Sequence, residues 1–334
     1  MKFSFSYKSY NRPFVKSLRT ANGIWAAREG IFLKLESADR VAIGEVAPIP
    51  EFGTESLELA QAFITSLEIQ SLEALKALEI PASLPCCAFA FSSIIKQLTN
   101  TSTPVDNAQL PVAALLPSGS EMPGVFIKKQ SLGFRTFKWK IGVEALDLEF
   151  GRLQSVIEQI SEGAVFRLDA NGSLSKTDLE HWLRLCQPYK SKIEFFEQPL
   201  AVGQETDMAS LSKHYGIPIA LDESLNGPSG VPWFVPGTWA GPLVIKPCLL
   251  GNVDLQLKRY KKLPQQLVVS SSFESSVGLL ECLRIALSCE ARRYALGVDT
   301  RSAFNDGYGI SESSPEIAYK TIEEHAKRLV DNEF

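Results

Sequence analysis

Apolar and polar residues alternate over residues 3–10, 31–38 and 41–46, the period of a strand with one buried face, and Ala38-Asp39-Arg40 reads as the turn between the last two. This predicts an antiparallel meander. The period then lengthens: Ser56 to Leu78 carries apolar residues at helical spacing behind Thr54, a candidate cap ahead of Glu55 and Glu58, and Pro85 opens a second helical run ending near Leu98. Together these segments predict an α+β domain over residues 1–105. The polar stretch from Thr99 to Ala108, with Pro104, reads as its linker.

From Leu110 the texture changes to short continuous apolar runs separated by amphipathic stretches: PVAALL, TFKWKIG, VFRLDA, IEFFEQP, IPIALDE, PLVIKP, QLVVSSS and YALGVDT. Continuous runs are the mark of parallel strands covered on both faces, with the intervening helices as crossovers. Eight such units predict an α/β fold, a modified (β/α)8 TIM barrel over residues 106–304. The tail, 305–334, shows no further strand and is expected to pack back on the first domain.

At 334 residues the chain exceeds the size at which one core usually stops growing, in keeping with a barrel plus a smaller domain. Hydrophobic residues at 45% and charged residues at 22% exclude disorder and fibrous folds. A net charge of −4 without a dense Lys/Arg cluster gives no pull toward nucleic acid or a membrane, so a small-molecule partner is expected. The oligomeric state, monomer or homo-oligomer, stays open. The N-terminal alternation does not resemble a signal peptide and no run of about 18 apolar residues occurs, so a cytoplasmic location is expected. Six cysteines without CxxC spacing read as reduced, buried thiols rather than a redox or zinc centre.

Charge recurs in one phase of the barrel repeat. From Lys138 through Asp169, Glu197, Asp222 and Lys246 the strides are 31, 28, 25 and 24 residues, each charge ending an apolar strand. In a barrel these strand ends meet in one pocket. Asp169, Glu197 and Asp222 are three hard oxygen donors, the set that suits Mg²⁺, while His181, His214 and His325 lie outside these motifs and are expected to be dispensable. Lys138 and Lys140 flank Trp139, so strand periodicity sends both lysines to the interior, where mutual repulsion is expected to lower their pKa toward that of a general base. Lys246 follows an apolar run and should face them across the barrel. A metal beside lysines suits proton abstraction next to a carboxylate, because the charge that develops there is stabilised electrostatically.

The KxK pair, RLDAN, ALDES and VIKP resemble the enolase superfamily and, within it, the muconate lactonising subgroup. GEVAPIPEFGTES at 44–56, SSSFESSVGL at 270–279 and GVDT at 297–300 are similar to the o-succinylbenzoate synthase family, which makes quinone precursors on the menaquinone and phylloquinone routes. The resemblance implies an enolase-like barrel under a capping domain, with Asp169, Glu197 and Asp222 as Mg²⁺ ligands and Mn²⁺ as a substitute. It further implies Lys140 as acid/base, Lys246 as an electrostatic partner and Lys138 as companion to Lys140. Asn171 and Glu223 match positions near the metal, and Arg167 matches a pocket-side arginine. Ser270, Ser271 and Ser272 match a carboxylate-binding strand end, while Phe52, Gly53 and Arg19 fall in loops expected to close over the substrate, with Gly23 and Gly30 giving them room to move. Where many relatives carry two acids, this chain has Glu197-Gln198.

The implied reaction is a syn-dehydration of a cyclohexadiene carboxylate. N-acylamino acid racemisation or dipeptide epimerisation on the same site is the alternative, although an epimerase is expected to place two acids near the eighth strand and Asp299 stands alone in GVDT. A Schiff-base aldolase using Lys246 has no need for three carboxylates, and a non-catalytic binding barrel has no need to keep these charges.

Overall fold

The computed structural model describes residues 3–20, 23–99, 108–300, 303–310 and 313–334, and leaves out the side chains of Arg19 and Thr20. The linker expected at 99–108 therefore lies almost wholly outside the described residues.

The first sheet joins β1 (Ser4–Thr20), β2 (Gly23–Glu36) and β3 (Val41–Val46) as an antiparallel meander. β1 runs well beyond the expected 3–10, because its register with β2 breaks between Pro13 and Leu18 and then resumes. Proline cannot donate to the ladder, and a bulge there lets the chain continue. The bulge drops Phe14 onto Phe304, with ring centroids 4.6 Å apart. The stretch read as one long helical run divides into α1 (Leu57–Thr65) and α2 (Leu72–Lys76). Ser56, not Thr54, caps the first, its hydroxyl accepting from Leu59 N, while Ser71 caps the second. α3 (Pro85–Thr99) is buried nearly all round because it is sandwiched: Cys86, Ala90 and Ile94 pack with the sheet, while Ser92 Oγ accepts from Val253 N at the barrel's outer layer.

In the barrel, β4 (Gln109–Pro111) precedes β5 (Ala114–Leu116), α4 (Met122–Ser131), β6 (Thr136–Lys140), α5 (Leu146–Ile157), β7 (Val165–Asp169), α6 (Lys176–Cys186), β8 (Ile193–Glu197), α7 (Glu205–Tyr215), β9 (Ile219–Ala220), β10 (Leu243–Ile245), α8 (Val253–Tyr260), β11 (Leu267–Val269) and α9 (Ser276–Ser288). Strands β5 to β9 form one parallel sheet and β10 pairs with β11. Isolated parallel bridges complete the ring: Leu221 with Leu243, Ser270 with Gly297, and Leu296 with Val112. The eighth stave, in YALGVDT, is present only as these bridges.

Strand alternation sorts the side chains. Phe137 and Trp139 are fully buried against the helices, and Lys138 and Lys140 point inward, as their spacing predicts. Phe195, Ala220, Val244 and Val268 form a small apolar cluster of their own, inside the ring.

The tail differs from its expectation. It contributes a strand, β12 (Glu316–Ala318), antiparallel to β4, and a helix, α10 (Tyr319–Glu333), packed mainly on α9. Ile322, Ala326 and Leu329 give α10 a narrow apolar stripe that α9 can cover. The tail also reaches the first domain, as expected of it, through Lys8 to Glu333, Arg12 to Asp306, Lys34 near Phe334, and Tyr308 beside Tyr10 and Phe32. Among the described residues no helix is long and apolar enough to cross a membrane.

One buried acid shapes the turn after β6. Glu149, 2% exposed, accepts from Gly142 N, Val143 N and Glu144 N at 2.7, 2.9 and 3.0 Å, and so fixes the chain immediately beyond Lys140. Glu149→Ala strands three donors and is expected to lower stability by about 2–4 kcal/mol, read as the midpoint of urea unfolding.

Candidate active site

In-register parallel pairing sets Lys140 beside Asp169 and Asp169 beside Glu197 at the C-terminal rim, with Asp222 two residues past the end of β9. The rim opens into a cavity of about 680 Å³, within the roughly 300–1,000 Å³ usual for small-molecule sites. Lys138, Lys140, Asp169, Asn171, Asp222, Glu223 and Lys246 reach it from the barrel. Leu18, Trp25, Phe52 and Gly53 close it from the capping side. Glu197 lies just beneath, 1% exposed.

Two ammonium groups are committed to the acids. Lys138 Nζ lies 2.6 Å from Glu197 Oε1 and 2.9 Å from Asp169 Oδ2, and Lys246 Nζ is paired with Asp222 Oδ1. Lys140, by contrast, makes no ion pair or hydrogen bond among the described residues, although it lines the cavity. β6 and β10 are the second and sixth staves of eight, so Lys140 and Lys246 stand on opposite walls.

At Lys138 the expected lowering of pKa is reversed. Burial works against the Lys138 charge, but Asp169, Glu197 and Asp222 outweigh it and hold the ammonium well above the usual lysine range. Burial is likewise overcome at Lys246, by Asp222 and then Glu223, and its pKa is raised. Attraction by the acids exceeds repulsion between lysines. The acids pay in turn: burial and then Asp169 push Glu197 up to about 8, and burial and then Asp222 push Glu223 up to about 7.

Other candidates fall in different places. Asn171, at φ 46°, donates from Nδ2 to Glu223 Oε1 at 3.2 Å and so holds that carboxylate at the rim. Arg167 does not line the cavity: it lies one interior layer deeper, its Nε 2.5 Å from Glu194 Oε2 and its guanidinium 5.0 Å from the Phe195 ring. A register shift in β8 at Glu194 creates that partner. Ser270, Ser271 and Ser272 do line it, yet each is already engaged, Ser270 Oγ donating to Gly297 O, Ser271 Oγ accepting from Phe273 N, and Ser272 N and Oγ donating to Glu274. Gly53, at φ 82°, closes the 3₁₀ turn that presents Phe52, whose ring lies 5.3 Å from Lys246 Nζ. Gly30 has a packing role instead of a hinge role, because a Cβ there would sit 2.7 Å from Val46 O. The Arg19 side chain and part of its loop lie outside the described residues.

Sequence reasoning noted Gln198 only as a departure from its relatives and missed its role. Fully buried at φ 33°, it accepts from Asp222 N and Ser224 N at Oε1 and donates to Ser224 Oγ and Leu200 O, tying the ends of β8 and β9 together. A neutral amide can do both, whereas an ionised carboxylate cannot donate. Lys129 was also missed, since its partner Asp299 is 170 residues away.

Residues 7–98 match the family described as MenC, N-terminal domain, and residues 127–251 match Enolase C-terminal domain-like. An o-succinylbenzoate synthase of Thermosynechococcus vestitus is 34% identical over 278 residues, spanning 82% of this chain and 85% of that one. Another, from Aliivibrio salmonicida, is 33% identical across 78% of each. The chain belongs to the o-succinylbenzoate synthase family. Among solved structures, the o-succinylbenzoate synthase of Thermosynechococcus elongatus BP-1, complexed with Mg in its active site, superposes with a TM-score of 0.79 at 30% identity, over 97% of this chain and 99% of that one. The L-Ala-D/L-Glu epimerase of Bacillus subtilis reaches 0.78 at 17% identity over 95% and 96%, a likeness of fold alone.

The site of this family member fits a divalent cation. Its donors are carboxylate oxygens only, and two lysines leave the acids short of positive charge, as the raised Glu197 and Glu223 record. Mg²⁺ is therefore expected to stabilise the fold, by about 2.7 kcal/mol at 100 times its Kd. Without metal, Glu197 titrates near 8 when folded against about 4.5 unfolded, so its ionisation opposes folding and stability should rise as pH falls from 8 toward 5. Thermal midpoints with EDTA and with Mg²⁺ check both. A midpoint indifferent to Mg²⁺, in wild type as in Asp222→Asn, would remove the metal assignment.

Proposed function

We propose that this chain dehydrates 2-succinyl-6-hydroxy-2,4-cyclohexadiene-1-carboxylate to 2-succinylbenzoate, an o-succinylbenzoate synthase reaction serving menaquinone or phylloquinone biosynthesis. The observation that carries the mechanism is the inequality of the three lysines. Lys140 alone is free of the acids, while Lys138 and Lys246 are held by them.

Asp169, Glu197 and Asp222 would hold Mg²⁺, with Mn²⁺ as a substitute, and the cation would supply positive charge to stabilise the enediolate that develops at the substrate carboxylate. Lys140 Nζ accepts the proton at C1, next to that carboxylate. It then returns a proton to the hydroxyl leaving C6 from the same face, so the C–O bond breaks, water departs and the ring becomes aromatic. Lys246, pinned by Asp222 on the opposite wall, stays protonated and balances the charge that develops on the carboxylate. Lys138 keeps Asp169 and Glu197 from repelling one another. Trp25, Phe52 and Leu18 offer an apolar lid for the ring and chain, and Ser270, Ser271 and Ser272 line the wall where the succinyl chain would lie.

Racemisation of N-acylamino acids remains the second reading, because two lysines on opposite walls are what it requires. Epimerisation of free dipeptides is disfavoured by a specific arrangement. Asp299, the pocket acid that would hold an α-ammonium, is saturated: Oδ2 accepts from Leu115 N and Lys129 Nζ and Oδ1 from Ser313 Oγ. A Schiff base at Lys246 fits poorly with an ammonium locked to Asp222.

Lys140→Ala should lower the rate of 2-succinylbenzoate formation by about 10³- to 10⁴-fold, followed by ultraviolet absorbance. Lys246→Arg preserves the charge but not a usable base, so dehydration should persist measurably while racemisation of an N-succinylamino acid vanishes. Equal loss of both activities in Lys246→Arg would end the one-base mechanism.

A further inference from the structure

Cys248 and Cys282 are 34 residues apart in sequence, and the fold brings their sulfurs to 3.4 Å. Cys248 sits in the 3₁₀ turn just beyond Lys246, and Cys282 lies midway along α9. Glu274, in the loop that joins β11 to α9, completes a group whose donor atoms all lie within 4.8 Å of one another, the one such group of His, Cys, Asp and Glu among the described residues. All three are buried, at 2%, 1% and 8% exposure. Two features separate this group from ordinary packed thiols. Glu274 Oε1 is buried without a hydrogen-bond partner, an arrangement that native interiors avoid. Its other oxygen, Oε2, is fixed by Ser272 N at 2.6 Å and Ser272 Oγ at 3.0 Å, as a ligating carboxylate is held by its surroundings.

We propose that Cys248, Cys282 and Glu274 form a second cation site, selective for a thiophilic d¹⁰ ion such as Zn²⁺ or Cd²⁺ and distinct from the carboxylate site of the barrel rim. Sulfur ligands exclude Mg²⁺ and favour soft ions. Bonds of about 2.3 Å to two thiolates span a tetrahedral edge of about 3.8 Å, so the sulfurs need to part only slightly. Binding displaces the two thiol protons to solvent, and Gly278 O, 3.9 Å from Cys248 Sγ, or a water can take the fourth position. Occupancy draws on the carboxylate that holds Ser272, a residue of the pocket wall, and on the turn that follows Lys246. The ion is thereby an inhibitor that acts from behind the pocket and does not compete with Mg²⁺.

The test is titration of the Mg²⁺-saturated enzyme with Cd²⁺. One equivalent should bind with the near-ultraviolet absorption of sulfur-to-cadmium charge transfer and with loss of turnover that excess Mg²⁺ does not relieve. Cys248→Ala and Cys282→Ala should each weaken binding at least tenfold, Glu274→Gln less, and Cys186→Ala not at all. Should the buried variants fail to fold, zinc-edge X-ray absorption of the wild-type protein with one equivalent of Zn²⁺ should find two sulfurs near 2.3 Å with light-atom ligands. Absence of charge transfer at one equivalent, an oxygen-only shell, relief by Mg²⁺, or unchanged binding in the cysteine variants overturns the site.

Discussion

Four carboxylates crowd the mouth of the barrel, and the fold must keep them together against their own repulsion. Asp169, Glu197, Asp222 and Glu223 converge because parallel strands end at one level, and Lys138 and Lys246 supply the first share of positive charge. That share is insufficient by itself, so Glu197 and Glu223 are raised. The same deficit makes the site a receptor for a divalent cation and leaves Lys140 uncommitted beside it. Electrostatic frustration at the rim thus underlies both the proposed metal affinity and the unequal environments of the lysines.

Such a site has to be closed from water, and the closing surface belongs to the other domain. Glu45, on β3, accepts from Tyr10 Oη, from Ser275 N and Oγ, and from Gly278 N, so an acid of the capping sheet serves as the N-terminal anchor of α9. Arg28 donates to Ala47 O, Pro48 O and Ser272 O, linking both domains to the serine loop. Arg12 adds an ion pair to Asp306 at 2.6 Å and lies 3.8 Å over the Phe304 ring. Charge-assisted contacts of this kind are directional, and they fix where Trp25 and Phe52 sit above the lysines. The pocket is therefore a product of the interface, not of the barrel alone.

Much of this was legible in the chain. The period-2 run TFKWK placed two lysines inward and Trp139 outward, and the near-constant stride of charged strand ends brought Asp169, Glu197, Asp222 and Lys246 to one rim. Both signals are local or repeat with the fold's own unit, and so survive without knowledge of the folded chain. Arg167 shared the inward phase of Asp169, but periodicity gives a face and not a depth, and two residues earlier on a strand is a full layer lower in the barrel.

What only the tertiary structure decided concerns partners distant in sequence. The proton affinities of Lys138 and Lys246 follow from acids 23 to 84 residues away, and the saturation of Asp299 follows from Lys129 and Ser313. The cysteine pair, the strand formed by the tail against β4, and the cap that Glu45 gives α9 are of the same kind. Sequence determined which residue types occur, at what period and on which face, because backbone geometry imposes those periods locally. Burial and charge environment came from packing between segments remote in the chain, and a one-dimensional pattern carries neither.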